Sequence, residues 1–295
     1  MSLPMKVVVS APKSKNLSSE QEQFLRALRS KLTGAGLAIV EIDGQVPLAE
    51  QARDIASKQG VVIVAFSQWA GEHLWRKNRE RVTLPTEFNH VTIALATNAR
   101  RPLLVLREKA VTERGALLPR LAHRTAKVPS SLDVQWLDGP AFERPFRAWL
   151  EEVNAQRHVF FGYSSATTAT ANAIMSWLYN RGLKVLNWKN DFRPGESILS
   201  RIEQAADQVT CGLFLFTADD FKIAKGGVRQ IPGVNVVFEA GYFVRAKGKK
   251  RTLIILEEGT ELPADLGGDI YLNLPSRADV TPIEGRLAAY FDELL

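Results

Sequence analysis

The chain carries the same alternation of strand and helix patterns twice. Residues 61–66 in the first half and 211–216 in the second are continuous apolar runs, and segments with the helical spacing of apolar side chains surround them. Such runs are typical of strands that are buried on both faces of a parallel sheet. The sequence therefore predicts an α/β protein built from two doubly wound parallel-sheet units in tandem.

The length agrees with two units, because 295 residues correspond to about two domains of roughly 150 residues each. The predicted boundary lies near residues 154–158, which gives domains of residues 1–155 and 156–295. In the first domain the fifth strand is predicted at residues 134–137. Both halves place a helix with one glutamate, Glu87 or Glu239, shortly before a basic turn and a buried strand. The two halves could share this arrangement because they are a divergent internal repeat, or by chance because they have the same fold.

Several classes of protein are disfavoured by composition. There is no apolar run near 18 residues, and the first residues lack a hydrophobic core followed by a cleavage site. The single Cys211 excludes an internal disulfide, which fits a reducing compartment. The four histidines are scattered without metal-ligand spacing. These features predict a soluble cytoplasmic protein with no metal site and no membrane partner.

The positive charge is concentrated in the first half. Residues 1–157 contain 23 Lys+Arg and 16 Asp+Glu, a net charge of +7, and the remaining residues contain 15 and 16, a net charge of −1. Such a surface attracts anionic ligands or acidic partners. A solvated basic surface is the more ordinary interpretation, because no aromatic-basic motif accompanies the charge. Nucleic acid is therefore not an expected partner.

Glu239 is the most unusual residue of the second half, because it lies inside an otherwise apolar run at residues 234–243. With Asn235 as N-cap, this run is predicted to form a short helix between two strands. Burying a carboxylate is costly without a partner. Glu239 either faces solvent near the helix N-terminus or meets a ligand at the edge of the sheet, and the spacing leaves both interpretations open.

Ligands of open parallel sheets bind beyond the carboxyl ends of the strands. Four segments of the second half lead to that edge: residues 162–165, 188–195, 217–220 and the start of the Glu239 helix. They supply hydroxyls, an aromatic platform, one arginine and a carboxylate, which suits a ribosyl or nucleotide ligand. A carboxylate there can stabilise an oxocarbenium-like centre as a glycosidic bond breaks. Motifs of dinucleotide-fold dehydrogenases, P-loop nucleotidases and serine hydrolases are missing.

The second half contains an ordered set of motifs, which are Phe161-Gly162-Tyr163-Ser164-Ser165, Arg193-Pro194-Gly195-Glu196-Ser197-Ile198, Phe216-Thr217-Ala218-Asp219-Asp220 and Asn235-Val236-Val237-Phe238-Glu239-Ala240-Gly241-Tyr242-Phe243. As an ordered set, these motifs resemble those of the bacterial TIR-like domains of cyclic-oligonucleotide-based and Pycsar antiphage effectors. The resemblance covers roughly residues 157–295. Many relatives carry His-Gly after the first strand, where this chain reads Phe161-Gly162.

This resemblance implies a flavodoxin-like TIR fold that cleaves NAD⁺ between nicotinamide and ribose once assembly activates it. Glu239 matches the catalytic glutamate, and residues 188–195 match the segment that gates the site. The substrate-binding residues implied are Phe161, Gly162, Tyr163, Ser164, Ser165, Trp188, Phe192, Arg193, Asp219, Asp220, Asn235 and Tyr242. Asp219 and Asp220 also suit a helix cap. NAD⁺ enters as substrate, no cofactor is implied, and the expected partners are further copies of the chain and a small nucleotide activator.

The first half contains Leu84-Pro85-Thr86-Glu87-Phe88, followed by Arg101-Pro102-Leu103-Leu104-Val105-Leu106. These segments faintly resemble nucleoside 2-deoxyribosyltransferases and related TIR-like folds. This resemblance makes Glu87 a second candidate site, and the polar loop predicted at residues 67–84 is a candidate ligand segment. Two alternatives to NAD⁺ cleavage therefore stay open. One is a catalytically silent nucleotide-binding or scaffold protein, and the other is a deoxyribosyltransferase-like enzyme.

Overall fold

The chain forms two compact units, one of residues 4–156 and one of residues 157–295 together with Leu3. The computed structural model describes residues 3–75, 81–118, 124–187, 197–224, 227–263, 266 and 271–295. No helix in this described part of the chain is long and apolar enough to cross a membrane.

The N-terminal unit is a parallel sheet with helices on both faces. Its elements in chain order are β1 (Met5–Ser10), α1 (Ser19–Gly34), β2 (Leu37–Val40), α2 (Leu48–Ala56), β3 (Gly60–Ala65), β4 (Trp69–Trp75), β5 (Arg81–Leu84), α3 (Glu87–Asn98), β6 (Leu103–Glu108), β7 (Arg124–Val128) and α4 (Pro140–Ala155). The five sheet strands follow the order β2-β1-β3-β6-β7, with every pairing parallel. Apolar side chains of α1 and α4 cover one face of the sheet, and those of α2 and α3 cover the other.

The C-terminal unit repeats this architecture. Its elements are β8 (Arg157–Tyr163), α5 (Thr168–Asn180), β9 (Val185–Asn187), α6 (Ile198–Gln208), β10 (Val209–Phe216), β11 (Asp220–Ala224), β12 (Gly227–Ile231), α7 (Val234–Lys247), β13 (Thr252–Glu257), β14 (Tyr271–Leu274) and α8 (Thr281–Leu294). The sheet order is β9-β8-β10-β13-β14, again parallel throughout. Helices α5 and α8 cover one face, and α6 and α7 cover the other.

Both sheets therefore have the strand order second, first, third, fourth, fifth, which is the flavodoxin-like order. The predicted fold class is confirmed. Each unit also inserts a two-stranded antiparallel ribbon between its third strand and its third helix, β4–β5 in one and β11–β12 in the other. In each unit the fourth strand ends in a glutamate that accepts a hydrogen bond from the backbone two residues beyond the third strand. The two bonds are Ser67 N to Glu108 Oε2 at 2.9 Å and Ala218 N to Glu257 Oε2 at 2.8 Å.

These shared details favour the internal repeat over chance, because a common strand order alone does not require the same ribbon and the same carboxylate contact. Two local predictions for the first unit are wrong. The predicted loop at residues 67–84 contains the β4–β5 ribbon. The fifth strand is Arg124–Val128, whereas Val134–Asp138 forms a 3₁₀ turn. Only two residues of that edge strand are buried, so it lacks the apolar run used to find strands.

Candidate active site

Glu239 is carried by α7, which lies across the sheet of the C-terminal unit. The helix buries Val236, Ala240 and Phe243 against the strands, at the spacing expected for one helical face. Gly233 is the N-cap, and no side chain caps this helix end. The prediction of Asn235 as N-cap is therefore wrong, and Asn235 is an exposed residue of the first turn. Glu239 borders the buried face, so its side chain is directed toward β8.

Gly162 of β8 provides the space that the carboxylate occupies. A Cβ on Gly162 would lie 2.8 Å from Oε2 of Glu239 and 2.6 Å from Cδ1 of Phe214. Phe214 is a fully buried residue of the neighbouring strand β10. Any side chain at position 162 would collide with both groups, so this close approach requires glycine. Since β8 and β10 are the first and third strands, the carboxylate lies where the strand order reverses, and ligands of such sheets bind there.

The carboxylate of Glu239 is largely desolvated. Its Oε2 is buried and has no hydrogen-bond partner among the residues that the structure describes. Burial raises the pKa of Glu239 from 4.5 to about 7. A buried carboxylate without a compensating donor is costly for folding, and such groups cluster at functional sites. The interpretation in which Glu239 faces solvent is therefore wrong.

The loop after β8 reaches the start of α7. A Cβ on Gly233 would lie 4.0 Å from Cβ of Ser164, so Ser164 is close to the helix that carries Glu239. The Ser164 hydroxyl accepts a hydrogen bond from Ala166 N at 3.3 Å and orders this turn. Ser165 is exposed beside it. The structure thus brings Gly162, Ser164 and Glu239 to one edge of the sheet, as the sequence predicts.

Phe161 and Tyr163 do not belong to this site. Both are buried in the apolar cluster under α5 and α8, on the face of the sheet opposite to α7. Their rings lie 5.1 Å apart, and the Tyr163 hydroxyl is 3.4 Å from Oδ1 of Asn187. Successive side chains of a strand point to opposite faces, so Gly162 cannot face Glu239 together with its two neighbours. This corrects the prediction that Phe161 and Tyr163 bind substrate.

Asp219 takes part in an ion cluster, although its Oδ1 is buried without a hydrogen-bond partner among the described residues. Its carboxylate lies 3.6 Å from Nη1 of Arg277 and accepts a hydrogen bond from the Thr217 hydroxyl at 2.6 Å. Arg277 also donates to both oxygens of Glu257, at 2.5 and 2.7 Å. Burial raises the pKa of Glu257, but the hydrogen bonds from Arg277 and from Ala218 N, together with the charge of Arg277, outweigh burial and lower the pKa overall. The cluster holds the end of β10 in place, and the substrate-binding role predicted for Asp219 stays a prediction.

The other predicted residues are spread more widely. Asp220 is the exposed first residue of β11, so it does not cap a helix. Tyr242 is partly buried against the apolar cluster beneath α7. Trp188, Phe192 and Arg193 lie outside the described residues. The residue beside Glu239 that sequence reasoning missed is Phe214. Strand alternation could have found Phe214, since it shares the α7 face with Gly162.

Glu87 has no comparable environment in the N-terminal unit. It is an exposed residue at the start of α3. The helix contacts β1 through Asn89, whose Nδ2 lies 3.4 Å from Ser10 O, and through Thr92, whose Oγ1 lies 3.3 Å from Ser10 Oγ. The second candidate site at Glu87 stays a prediction, and the packing of α3 does not favour it.

Replacing Gly162 by alanine is expected to lower the free energy of unfolding by about 2 kcal/mol, because overpacking a filled interior costs roughly that much. The new methyl group would displace the Phe214 ring or the Glu239 carboxylate. Denaturant unfolding measures the change. Gly241→Ala is the matched control, since a Cβ there meets nothing within 4 Å and alanine is the better helix former. A Gly162→Ala protein as stable as Gly241→Ala would contradict the close approach.

Replacing Arg277 by methionine is expected to destabilise the protein by about 2 kcal/mol, because Glu257 and Asp219 would both lose their cationic partner. Breaking a fully buried pair costs more, and the partial exposure of Arg277, 35% of its side chain, reduces the effect. Arg286→Met, which changes an exposed arginine of α8, is the control. Thermal unfolding of the two variants side by side tests this, and equal melting temperatures would show that the cluster is not stabilising.

Comparison with known protein families gives a match over the region of the chain that contains Glu239. Residues 158–276 match the family model described as CAP12/Pycsar effector protein, TIR domain. The resemblance read from the sequence is confirmed over these residues, which include Gly162 and Glu239.

The alignments of this chain with individual relatives cover less than two thirds of the length of each relative. The chain is 30% identical to CD-NTase-associated protein 12 of Sphingobacterium faecium over 113 residues, which are 38% of this chain and 35% of that protein. It is 26% identical to the Pycsar effector protein BcPycTIR of Burkholderia cepacia over 190 residues, which are 62% of this chain and 58% of that protein. Among solved structures, the TIR domain of the Toll-related receptor TRR-2 from Hydra magnipapillata aligns with a TM-score of 0.37 and 18% identity, over 47% of this chain and 98% of that one.

Proposed function

We propose that the TIR domain of CAP12/Pycsar effector type at residues 158–276 cleaves NAD⁺ between nicotinamide and ribose, with Glu239 as its catalytic carboxylate. The observation that carries this proposal is the buried Oε2 of Glu239, which has no partner among the described residues and lies at the ligand-binding edge of the sheet. An unpaired buried carboxylate is well suited to a cationic ligand, since a positive charge nearby offsets its desolvation.

The chemistry needs one charged group. As the bond between the ribosyl carbon and the ring nitrogen breaks, nicotinamide leaves with the bonding electron pair and becomes neutral. The positive charge that it carried moves to the ribosyl centre, where the ionised Glu239 stabilises it. Water then adds to that carbon and loses a proton to the solvent. Electrostatic stabilisation of charge that develops in the transition state is strongest where water is excluded, and the burial of Glu239 provides this condition.

The substrate itself favours the reactive form of Glu239. Its pKa of about 7 means that a large fraction of the side chains are protonated at neutral pH. The pyridinium ring of NAD⁺ is cationic, so its arrival lowers the pKa of a nearby carboxyl and releases a proton. Substrate binding thus ionises the group that the reaction needs.

Activation by assembly and a role in antiphage defence belong to the same proposal. They come from the CAP12/Pycsar resemblance and from the relative that is named a Pycsar effector protein. The exposed position of Glu87 does not favour the deoxyribosyltransferase alternative. If the protein does not turn over NAD⁺, the alternative of a catalytically silent nucleotide-binding protein is favoured.

The test is nicotinamide release from NAD⁺, measured by chromatography with the purified full chain, both dilute and with a crowding agent that promotes assembly. The proposal expects release that increases with assembly and is absent from Glu239→Ala. Glu203→Gln, which alters an exposed glutamate of α6, is the matched control. Release that persists in Glu239→Ala contradicts the assigned carboxylate. Base exchange on deoxynucleosides that Glu87→Gln abolishes would support the alternative enzyme instead.

A further inference from the structure

We propose that the N-terminal unit binds a nucleoside monophosphate, without cleaving it, in a cavity at the carboxyl edge of its own sheet. The cavity has a volume of about 410 Å³, which is within the range of small-molecule sites in proteins. Its walls are the end of β1, the loop after β2 and parts of α2 and α3. Ligands of doubly wound sheets bind at this edge.

The position corresponds to that of the candidate active site in the other unit. There, the end of the first strand and the third helix bring Gly162 and Glu239 together. Here, the end of the first strand and the third helix contribute Ser10 and Thr92 to the cavity. The correspondence is supported by the ribbon that precedes the third helix in both units and by the matching glutamate contacts at the end of the fourth strand.

The two sites differ at the residue that performs the chemistry. Glu239 is the sixth residue of α7, and the sixth residue of α3 is Thr92. Thr92 Oγ1 lies 3.3 Å from the hydroxyl of Ser10, so a neutral pair of hydroxyls replaces the buried carboxylate. The one carboxylate in the cavity wall, Glu41, is exposed and forms an ion pair with Arg29 at 2.5 Å. Without a desolvated carboxylate against the first strand, the cavity can bind a ribosyl ligand but does not stabilise a ribosyl cation.

The side chains around the cavity match the three parts of a nucleotide. Phe88 leaves 55% of its surface exposed and offers an aromatic face for a base. The loop after β2 holds this ring, since a Cβ on Gly44 would lie 3.1 Å from it. The hydroxyls of Ser10 and Thr92 are suited to ribose, and the exposed Lys13 is suited to a phosphate. The excess positive charge of the first half of the chain favours such an anionic ligand.

Isothermal titration calorimetry of the full chain with 5′-AMP, 5′-CMP, 5′-GMP and 5′-UMP tests this proposal. At least one of the four is expected to bind with a Kd below 1 mM and to be recovered intact. Phe88→Ala is expected to weaken that binding about 5- to 160-fold, which is the contribution of a base stacked on an aromatic ring. Lys13→Ala is expected to weaken it about threefold and to reduce its dependence on salt.

Matched controls test whether the loss of binding is specific to Phe88 and Lys13 of this cavity. Lys15→Ala changes a neighbouring exposed lysine, Phe221→Ala changes an exposed phenylalanine of the other unit, and Glu239→Gln alters the candidate active site. All three are expected to bind the nucleotide as the wild type does. The proposal is overturned if none of the four nucleotides binds, if Phe88→Ala binds as tightly as the wild type, or if Glu239→Gln alone removes binding. Nicotinamide release from NAD⁺ is measured separately. A protein that binds none of the four nucleotides can therefore be distinguished from one that does not cleave NAD⁺.

Discussion

Glu239→Gln is expected to lower the rate of nicotinamide release from NAD⁺ by about 10²- to 10³-fold, which is the effect of removing one preorganised electrostatic group from an active site. Glutamine has nearly the same shape, so the contacts with Gly162 and Phe214 are kept while the negative charge is lost. The variant should therefore fold normally and still bind NAD⁺, more weakly because the attraction of the carboxylate for the pyridinium is lost, with the larger loss in kcat. Initial rates under assembling conditions, together with calorimetry of NAD⁺ binding, measure the two effects separately.

The same experiment distinguishes a catalytic role from a structural one. Gly162→Ala disturbs the position of the carboxylate without removing it, so its activity is expected to fall between that of Glu239→Gln and that of the wild type. Glu203→Gln should retain full activity. If Glu239→Gln keeps more than about a tenth of the wild-type rate, the effect is far below that of a preorganised electrostatic group, and the assignment of Glu239 as the catalytic carboxylate is wrong.

The stability of the protein is expected to depend on pH through the same carboxylate. The pKa of Glu239 is about 7 in the folded protein and ordinarily 4.5, so between these values the folded chain holds a proton that the unfolded chain has released. The folded state favours the protonated form of this carboxyl. This contribution to stability is therefore fully present below pH 4.5 and is lost as the pH rises through 7. The loss amounts to about 3 kcal/mol, since one pKa unit corresponds to about 1.4 kcal/mol.

Comparison with Glu239→Gln isolates this contribution from other titrating groups. The pKa of His158 is lowered to about 4, chiefly by burial and also by Lys184, so its own contribution is present above pH 6.5 and is lost toward pH 4. It is common to both proteins and cancels in the difference. Denaturant unfolding of both from pH 4.5 to pH 8 should show Glu239→Gln gaining about 3 kcal/mol relative to the wild type. A constant difference across this range would show that the carboxylate is not desolvated.

Much of the fold can be predicted from local patterns. The apolar runs that became β3 and β10, and the helical spacing around them, are sufficient to predict two doubly wound units. Ser18 and Gln21 form the capping box that begins α1. Edge elements were less predictable. Strand β7 buries only part of its side chains, and the β4–β5 ribbon lies in a stretch without a continuous apolar run, so neither has the pattern of a core strand.

The candidate site was predicted in part. The sequence shows that Glu239 lies among apolar residues, and burying a carboxylate on a helix face is costly unless it has a partner or a ligand. The sequence left open whether Glu239 faces solvent or the sheet, and the packing of α7 over Gly162 resolves this. Phe161 and Tyr163 belong to the same motif as Gly162, yet motif membership carries no information about which face of the sheet a side chain occupies.

The sequence by itself determined the period of each element, the order of the units and the presence of one anomalous carboxylate, because these depend on residues that are near one another in the chain. Only the tertiary structure decided which groups meet. It placed Glu239 against Gly162 and Phe214, joined Asp219 to Arg277, and left a cavity beside Thr92 in the first unit. These contacts join residues that are distant in the chain, and the docking of each helix on its sheet sets the distances between them.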